Sequence, residues 1–384
     1  NKMNQILLGR PLIDEEEVSM VREVLKSKWI LNGPMVERFE KDFKDKLGVS
    51  NAAAVTCCTT GMHLAFSLLN IGEGDEVLLS GFNFIGAGLS ILQNNAYPVF
   101  VDIDPVTYNI DPCQIEKRIT PKTKAIFVLH YAGMSANMDP ILELAEKHKL
   151  YVIEDAAHSL GSEYKGRKIG KLGDITVFSF GPMKAMTTAM GGMVVCKNKN
   201  NDRKVRILRS YGMDSSVRQR ISTDKPWYYE VNDLGHNFRM TDISAAIGVV
   251  QLKKLDSFIS KRRELSFYLS ELLEDIPGIC PPVELLGYKH SFLYYVIKVE
   301  EGQFSKSRDE LALYLRSNGV SVSVHWDPPL HLQPLFGEYS YGEGSLPVSE
   351  AMARQVLTLP MYPGLSREEI ERIAFLIREF VTNQ

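Results

Sequence analysis

The chain has 384 residues, of which 45% are hydrophobic and 24% are charged, with a formal net charge of −3 at pH 7. This length exceeds one ordinary domain, so we expect a large and a smaller domain. The composition is typical of a soluble globular protein, and the small net charge gives no indication of a nucleic-acid partner. No apolar run approaches the roughly 18 residues of a membrane span, so we expect no membrane segment.

The first ten residues contain too short an apolar stretch for a signal peptide. The cysteines have neither the spacing of a metal site nor that of a disulfide framework. They are Cys57, Cys58, Cys113, Cys196 and Cys280. Reduced thiols, no bound metal and a cytoplasmic location are the simplest interpretation.

The N-terminal part begins with two predicted helices. Asp14 is placed to cap the first helix and Gly48 to end the second. Beyond them, short apolar runs alternate with helical stretches. The runs are Glu76–Ser80, Pro98–Asp102, Lys124–His130, Tyr151–Asp155, Ile175–Phe180 and Gly192–Cys196; the helical stretches include Thr59–Asn70, Ile85–Asn94 and Asp139–Lys149. Runs that are apolar on both faces predict an α/β fold with a mainly parallel sheet covered by helices.

A long helix is predicted from about Thr241 to Leu273, with a break near Ser260. The remainder mixes predicted strands such as Phe292–Val299, helices and a proline-rich loop that begins at Asp327. We expect a large domain over residues 1–250 and a smaller α/β domain over residues 251–384, onto which the N-terminal segment could pack.

Candidate chemical groups follow the ends of the predicted strands, where parallel α/β sheets bind ligands. Lys184 lies among small and apolar residues after Ile175–Phe180, and burial there would favour the neutral amine that attacks a carbonyl. Asp155 ends the strand that begins at Tyr151, where a carboxylate can pair with a protonated pyridine nitrogen. A lysine and an acid in this arrangement suit an enzyme that uses pyridoxal 5'-phosphate (PLP).

Each of these groups also has an ordinary structural interpretation. Lys184 alone could be a solvated surface charge, and Asp155 could equally be an N-cap. His158 could bond the cofactor's ring oxygen or be a structural histidine. Ser179 could bind a phosphate or a backbone group.

Two further features precede them in the chain. Thr59 and Thr60 open a helix, where they could hold a phosphate or merely cap the helix. Phe82 and Phe84 could stack on a cofactor or belong to the core. A phosphate-type helix start, an aromatic residue, an acid, a serine and a lysine, in that order, have the spacing of a fold-type I PLP enzyme.

Longer motifs make this interpretation specific. They are Gly74–Val77, Pro98–Asp104, Thr120–Ala125, Val152–Ser159, Tyr164–Gly170 and Gly235–Gly248. Over nearly its whole length the chain resembles the sugar-nucleotide aminotransferase family named after DegT, DnrJ, EryC1 and StrS. The resemblance implies that Lys184 is the Schiff-base lysine, that Asp155 pairs with the pyridine nitrogen and that His158 stands against the ring oxygen.

The resemblance also implies further cofactor contacts. Phe84 occupies the position of the stacking aromatic residue, and Thr59, Thr60 and Ser179 match phosphate contacts. Asn237 resembles an asparagine that reaches the phosphate in the neighbouring subunit's site. The resemblance therefore implies a homodimer with shared active sites.

The implied reaction is a ping-pong transamination between L-glutamate and a keto-deoxy sugar nucleotide, by way of the pyridoxamine form (PMP), with Lys184 as the proton carrier. The segments His130–Gly133, Trp227–Glu230 and Asn237–Asp242 favour amination at C4 over C3. His325, His331 and Arg239 are candidate substrate contacts, although both histidines could equally be structural. The motifs do not distinguish dTDP, UDP and GDP sugars.

Two departures from the family pattern accompany the matches. Cys57 and Cys58 precede Thr59 where the family usually has Ser or Asn and then Gly, and Met190 replaces a glutamate before Gly191. The rival functions are a sugar 3-dehydratase on the same fold, whose members have histidine in place of the lysine, and a non-enzymatic regulator. The lysine argues against the first, and the retained set of site residues argues against the second.

Overall fold

The structure is a computed structural model that describes residues 5–215, 217–303, 306–339 and 341–382. In chain order the strands are β1 Ala52–Val55, β2 Glu76–Ser80, β3 Tyr97–Val101, β4 Thr123–Leu129, β5 Tyr151–Asp155, β6 Glu163–Tyr164, β7 Arg167–Lys168, β8 Ile175–Ser179, β9 Gly192–Cys196, β10 Ile279–Cys280, β11 Tyr288–Lys289, β12 Tyr295–Val299 and β13 Val356–Leu359.

In chain order the α-helices are α1 Glu15–Ser27, α2 Pro34–Leu47, α3 Cys58–Leu68, α4 Ile85–Leu92, α5 Pro112–Ile115, α6 Met138–His148, α7 Lys199–Leu208, α8 Val217–Ile221, α9 Asp242–Leu273, α10 Arg308–Ser317, α11 Pro347–Gln355 and α12 Arg367–Thr382. Within the described ranges, no helix combines the length and the apolar character needed to cross a bilayer.

A seven-stranded sheet organises the first half of the chain, in the spatial order β1-β9-β8-β5-β4-β2-β3. Neighbouring strands from β8 to β3 are parallel, whereas β9 runs antiparallel to both β8 and β1. Buried apolar clusters cover both faces of the sheet. The predicted α/β fold with a mainly parallel sheet is confirmed, and the open carboxyl ends of β5 and β8 are left to carry the site.

The capping predictions at the N-terminus are confirmed. The Asp14 carboxylate accepts the Glu16 N–H (2.9 Å), while the Glu17 carboxylate accepts the Asp14 N–H (3.0 Å) and completes a capping box. Gly48 ends α2 with φ +69°, a left-handed conformation that glycine adopts without strain.

The predicted break near Ser260 is wrong, because α9 is one continuous helix of 32 residues. Its buried side chains, among them Phe258, Ile259 and Arg262, continue the inward face across this point. Ser260 itself is exposed on the outer face, where a serine costs an established helix little. The domain boundary expected near residue 250 falls inside this helix.

Two small three-stranded sheets complete the fold, in the orders β10-β12-β13 and β11-β6-β7, and all their strand pairs are antiparallel. The N-terminal segment reaches the C-terminal part of the chain: the Ile6 N–H donates to Gly319 O (2.9 Å), and the Ser321 N–H donates to Ile6 O (2.8 Å). Ile6 is buried in the apolar cluster that contains residues of α10, α12 and β12.

Candidate active site

The ends of β5 and β8 bring the candidate lysine and acid together. The two strands are parallel neighbours, with Asp155 opposite Val177. After β8 the chain turns, and the Lys184 N–H donates to Gly181 O (3.1 Å). A Cβ atom on Gly181 would lie 3.7 Å from the Lys184 side chain and 3.9 Å from the Ser179 hydroxyl. Lys184 and Ser179 therefore flank one turn at the sheet edge.

Asp155 is a buried carboxylate, and its Oδ1 accepts the Ala157 N–H (2.9 Å). That bond fits the N-cap interpretation, but a turn rather than a helix follows it. Burial raises the pKa of Asp155 to about 6, while the Ala157 N–H, Lys184 and His130 pull the pKa down. The neighbouring groups offset only part of the cost of burying this charge. A cationic partner, such as a protonated ring nitrogen, would therefore stabilise the ionised carboxylate.

His158 is also buried, and its Nδ1 accepts the Ala132 N–H (3.4 Å). A neutral imidazole that accepts at Nδ1 carries its proton at Nε2. Burial, with help from Lys184 and His325, holds the pKa of His158 well below its ordinary value. The side chain is therefore a neutral hydrogen-bond donor at Nε2, as contact with a ring oxygen requires.

Tyr294 is the member of this site that sequence reasoning missed. Its ring centroid lies 5.7 Å from Lys184 Nζ. The same ring stacks on His325, with centroids 4.3 Å apart and planes at 9°, and meets the edge of His158 at 4.8 Å. Tyr294 lies in an apolar run that is typical of a buried strand, so the sequence gives no indication that its side chain contacts the site.

The start of α3 forms the candidate phosphate end of the site. The Cys57 sulfur caps this helix by accepting the Thr60 N–H (3.5 Å), which explains how the chain tolerates cysteine at this position. The Thr60 hydroxyl donates to Cys57 O (2.8 Å), so the cap already engages it. The first N–H groups of the helix have no acceptor inside the helix and are suited to an anion.

Phe84 and Thr59 lie side by side next to this helix start. A Cβ atom on Gly86 would lie 3.2 Å from Thr59 Oγ1 and 3.3 Å from the Phe84 ring, so glycine leaves both side chains free of crowding. Phe84 is 51% exposed, an unusual position for a large aromatic ring and a suitable one for stacking. Phe82, by contrast, is completely buried.

The structure separates the two candidate histidines of the distal loop. His325 faces the site: its Nδ1 lies 2.8 Å from Thr358 Oγ1, and burial together with Lys184 lowers its pKa to about 4. His331 is 1% exposed, and its Nε2 lies 3.1 Å from Glu350 Oε1, under the strand end at Gly81. For His331 the geometry favours the structural alternative over substrate contact.

Asn237 and Arg239 lie in a different environment from the strand ends. Asn237 is exposed, and its side-chain oxygen accepts a hydrogen bond from Arg239 Nε (2.9 Å). The Arg239 guanidinium lies over the Tyr211 ring at 5.2 Å. Asn237 therefore presents polar groups to the outside, close to the exposed ring of Tyr211 that Arg239 covers.

Residues 11–378 match the family model of the DegT/DnrJ/EryC1/StrS aminotransferases. The chain belongs to this family. It is a sugar aminotransferase of PLP fold type I, and PLP is its cofactor. The fold type, the family and the cofactor expected from the sequence are therefore confirmed.

The chain is similar to two named bacterial proteins along nearly its whole length. It is 37% identical to the spore coat polysaccharide biosynthesis protein SpsC of Bacillus subtilis, over 97% of this chain and 96% of that protein. It is 36% identical to the GDP-perosamine synthase of Caulobacter vibrioides, over 96% of each. Among solved structures, the PLP form of the putative sugar aminotransferase Spr1654 from Streptococcus pneumoniae superposes with a TM-score of 0.91, at 27% identity and 98% coverage of both chains.

The residues present fit this cofactor. The under-compensated Asp155 carboxylate is suited to the pyridine nitrogen, neutral His158 offers a donor and Lys184 offers an amine. The N–H groups at the start of α3 offer a phosphate-type end, beside the exposed ring of Phe84.

Proposed function

We propose that this aminotransferase moves an amino group from L-glutamate to the C4 keto group of a keto-deoxy sugar nucleotide. Its product would be an amino sugar for a surface polysaccharide or a secondary metabolite. The observation that carries the proposal is the convergence of Lys184, buried Asp155 and neutral His158 at the ends of two adjacent parallel strands. The names of the similar proteins, a polysaccharide biosynthesis protein and a perosamine synthase, support the substrate class.

In this proposal Lys184 holds the cofactor covalently. Asp155 pairs with the pyridine nitrogen, which offsets the cost of burying its carboxylate. His158 donates from Nε2 to the ring oxygen and fixes the ring's orientation. Phe84 stacks on the ring, since its exposed face is the aromatic surface beside Thr59.

The phosphate would lie at the start of α3. Thr59 and Ser179 would supply hydroxyl groups, whereas Thr60 would fix the start of the helix, because its N–H and its hydroxyl are both bonded to Cys57. The partner subunit's Asn237 would complete this end of the site, which makes the enzyme a homodimer with shared active sites. The exposure of Asn237 in the single chain supports this arrangement.

Bound PLP supplies an electron sink that makes the C–H bond beside the substrate nitrogen acidic. Lys184 Nζ would act as the general base that removes this proton and as the general acid that returns it. In the second half-reaction Lys184 would carry the proton in the opposite direction and donate it to C4 of the sugar. Asp155 keeps its charge throughout, and neutral His158 keeps the ring in register with the lysine.

The rival functions predict different behaviour. A sugar 3-dehydratase of this fold has histidine at the position of Lys184, and a regulator has no need for a lysine placed beside a buried acid. The preference for C4 rests on the segments that begin at His130, Trp227 and Asn237. His325 is the substrate contact that the geometry supports best. The cytoplasmic location stays a prediction.

Borohydride reduction of the purified yellow enzyme, followed by peptide mass spectrometry, tests the assignment of Lys184. The expected result is one modified tryptic peptide, residues 172–197, with the added mass on Lys184 and none in Lys184→Ala. Modification at another lysine, or a protein that PLP cannot turn yellow, would overturn the proposal. A panel of keto-sugar nucleotides with glutamate, with the new amine located by NMR, then decides between C4 and C3.

A further inference from the structure

Tyr294 is held in place from both sides of its backbone. The peptide group that precedes it donates its N–H to Ala132 O (3.2 Å) and accepts at Leu293 O from Arg262 Nη1 (3.3 Å). Arg262 is itself buried and anchored by a second bond to Met361 O (2.6 Å). Ala132 also donates its N–H to His158, so one residue ties Tyr294 and His158 together.

The ring of Tyr294 is fixed as firmly as its backbone. It is stacked face to face on His325 and packed against the edge of His158. His325 is in turn bonded to Thr358, and His158 to Ala132. A ring confined in this way presents a fixed π surface to Lys184 Nζ, 5.7 Å from its centroid.

The charge states of the other groups around Lys184 determine how much the Tyr294 ring contributes to stabilising an ammonium there. Asp155 and Lys184 interact electrostatically, while burial keeps His158, His325 and the Cys58 thiol neutral. In the proposed function Asp155 is engaged by the ring nitrogen of the cofactor. The Tyr294 face is then a contact that still favours an ammonium over an amine.

We propose that Tyr294 is a positioning residue for Lys184, whose ring holds and stabilises the ammonium that Lys184 becomes when it removes the substrate proton. The proposal rests on the proposed function, because it assumes that Lys184 is the proton carrier. In this step the Lys184 nitrogen lone pair forms the new N–H bond, and the electron pair of the broken C–H bond passes to the cofactor. The ring face attracts the cation that results, and the fixed backbone keeps Nζ in line with the carbon.

The competing view is that Tyr294 only packs between two apolar clusters. Removal of the ring would then lower stability but would leave Lys184 unchanged in the folded enzyme. Three variants separate the two views. Tyr294→Leu removes the ring, Tyr294→Phe keeps the ring without the hydroxyl, and Tyr295→Phe is a matched control whose lost hydroxyl bonds Ser270 (2.8 Å) in a different cluster.

The first measurement uses the apoprotein. The rate at which acetic anhydride modifies Lys184, followed by peptide mass spectrometry from pH 6 to 11, reports the fraction of neutral amine. In Tyr294→Leu this rate at neutral pH should rise by about 3- to 10-fold, because the ring no longer favours the cation. Tyr294→Phe and Tyr295→Phe should keep the wild-type profile.

The second measurement uses the holoenzyme with L-glutamate and its α-deuterated form. Tyr294→Leu should lower kcat for the glutamate half-reaction by about 5- to 30-fold and enlarge the deuterium isotope effect, since proton removal becomes slower. Tyr294→Phe should stay within about twofold, as expected if the ring rather than the hydroxyl acts.

An unchanged Lys184 profile and isotope effect in a folded Tyr294→Leu enzyme would overturn the inference. Failure of the proposed function would be distinct, because borohydride would then label no cofactor on Lys184 even in the wild-type enzyme. If Tyr294→Leu does not fold, Tyr294→Met replaces it as the ring-free variant, and the same two readouts decide.

Discussion

Two regions of the molecule carry candidate functional residues. They differ in how far contacts inside the single chain bury their side chains and hold them in place. The strand-end cluster, which consists of Asp155, His158, Lys184 and Tyr294, is buried or half-buried and held by hydrogen bonds and ring contacts inside the chain. The exposed segment, residues 227–239, presents Trp227 at 73% exposure and Leu234 at 91%.

The strand-end cluster has the properties of reacting groups, whereas the exposed segment has those of a binding surface. In the strand-end cluster, burial raises the pKa of Asp155 and lowers the pKa of His158. Large exposed apolar side chains beside Asn237 are characteristic of a surface that another protein covers. In the proposed homodimer, one chain would position the reacting groups, whereas the exposed segment with Asn237 would complete the phosphate end of the partner's site.

Among substitutions that leave Lys184 in place, Asp155→Asn should produce the largest loss of activity, and it tests the buried side of the comparison. The variant keeps the size of the side chain but loses the charge that pairs with the ring nitrogen, so kcat/KM should fall by about 10²- to 10³-fold. Steady-state kinetics and a PLP titration measure this. The neighbouring acid provides the control: Glu154 accepts hydrogen bonds from Gly173 N (2.7 Å) and Thr176 Oγ1 (2.8 Å), away from the lysine. Activity loss in Glu154→Gln as large as in Asp155→Asn would argue against a specific role for Asp155.

The same variant should stabilise the apoprotein. The pKa of folded Asp155, about 6, lies above its ordinary value of 3.8, so the ionised carboxylate costs the folded state stability, fully so above pH 6 and not at all well below pH 3.8. Asp155→Asn should therefore raise the free energy of unfolding by about 2–3 kcal/mol at pH 8 and by less at pH 5. Urea unfolding at both pH values checks this. A variant that is less stable than wild type at pH 8 would show that the carboxylate is compensated within the chain.

A subunit-mixing experiment tests the exposed side of the comparison. Asn237→Ala should lower activity by about 10- to 100-fold through the lost phosphate contact. When Asn237→Ala and Lys184→Ala chains are combined, each mixed dimer should contain one intact site, so activity should return to about a quarter of the wild-type value. The proportion of mixed dimers is followed with two affinity tags. Purified mixed dimers no more active than Asn237→Ala alone would show that Asn237 serves its own chain's site.

The amino-acid sequence was sufficient for six of the seven strands of the large sheet and for the strand-end acid and lysine. Buried strands have the pattern of apolar runs, and the carboxyl ends of parallel neighbours meet at one edge, so the sequence alone predicts that Asp155 and Lys184 lie together. β1 could not be predicted, because Ala52–Val55 has little strand propensity and is fixed by pairing with β9.

Tyr294 could not be found because its importance depends on contacts far away in the chain. Its run has the pattern of a core strand, and β12 begins only at the next residue. The predicted break in α9 failed for a related reason, since tertiary packing on the inward face overrides the local signal of Ser260. Local pattern predicts elements well, but it does not predict which loop side chains face one another.

The smallest effect on activity is expected at His331, which is as buried as the strand-end cluster but lies outside it. His325 and His331 are six residues apart on one loop, yet one stacks on Tyr294 and the other pairs with Glu350. His331→Leu leaves the Glu350 carboxylate without that partner and should lower the free energy of unfolding by about 1–3 kcal/mol, while kcat/KM per folded enzyme changes less than about threefold.

His325→Leu should show the reverse, a loss of activity of about tenfold or more with a smaller change in stability, because its ring supports Tyr294 beside Lys184. Parallel urea unfolding and kinetics measure both variants. Equal kinetic losses in the two would mean that the whole loop, and not only its His325 end, belongs to the site.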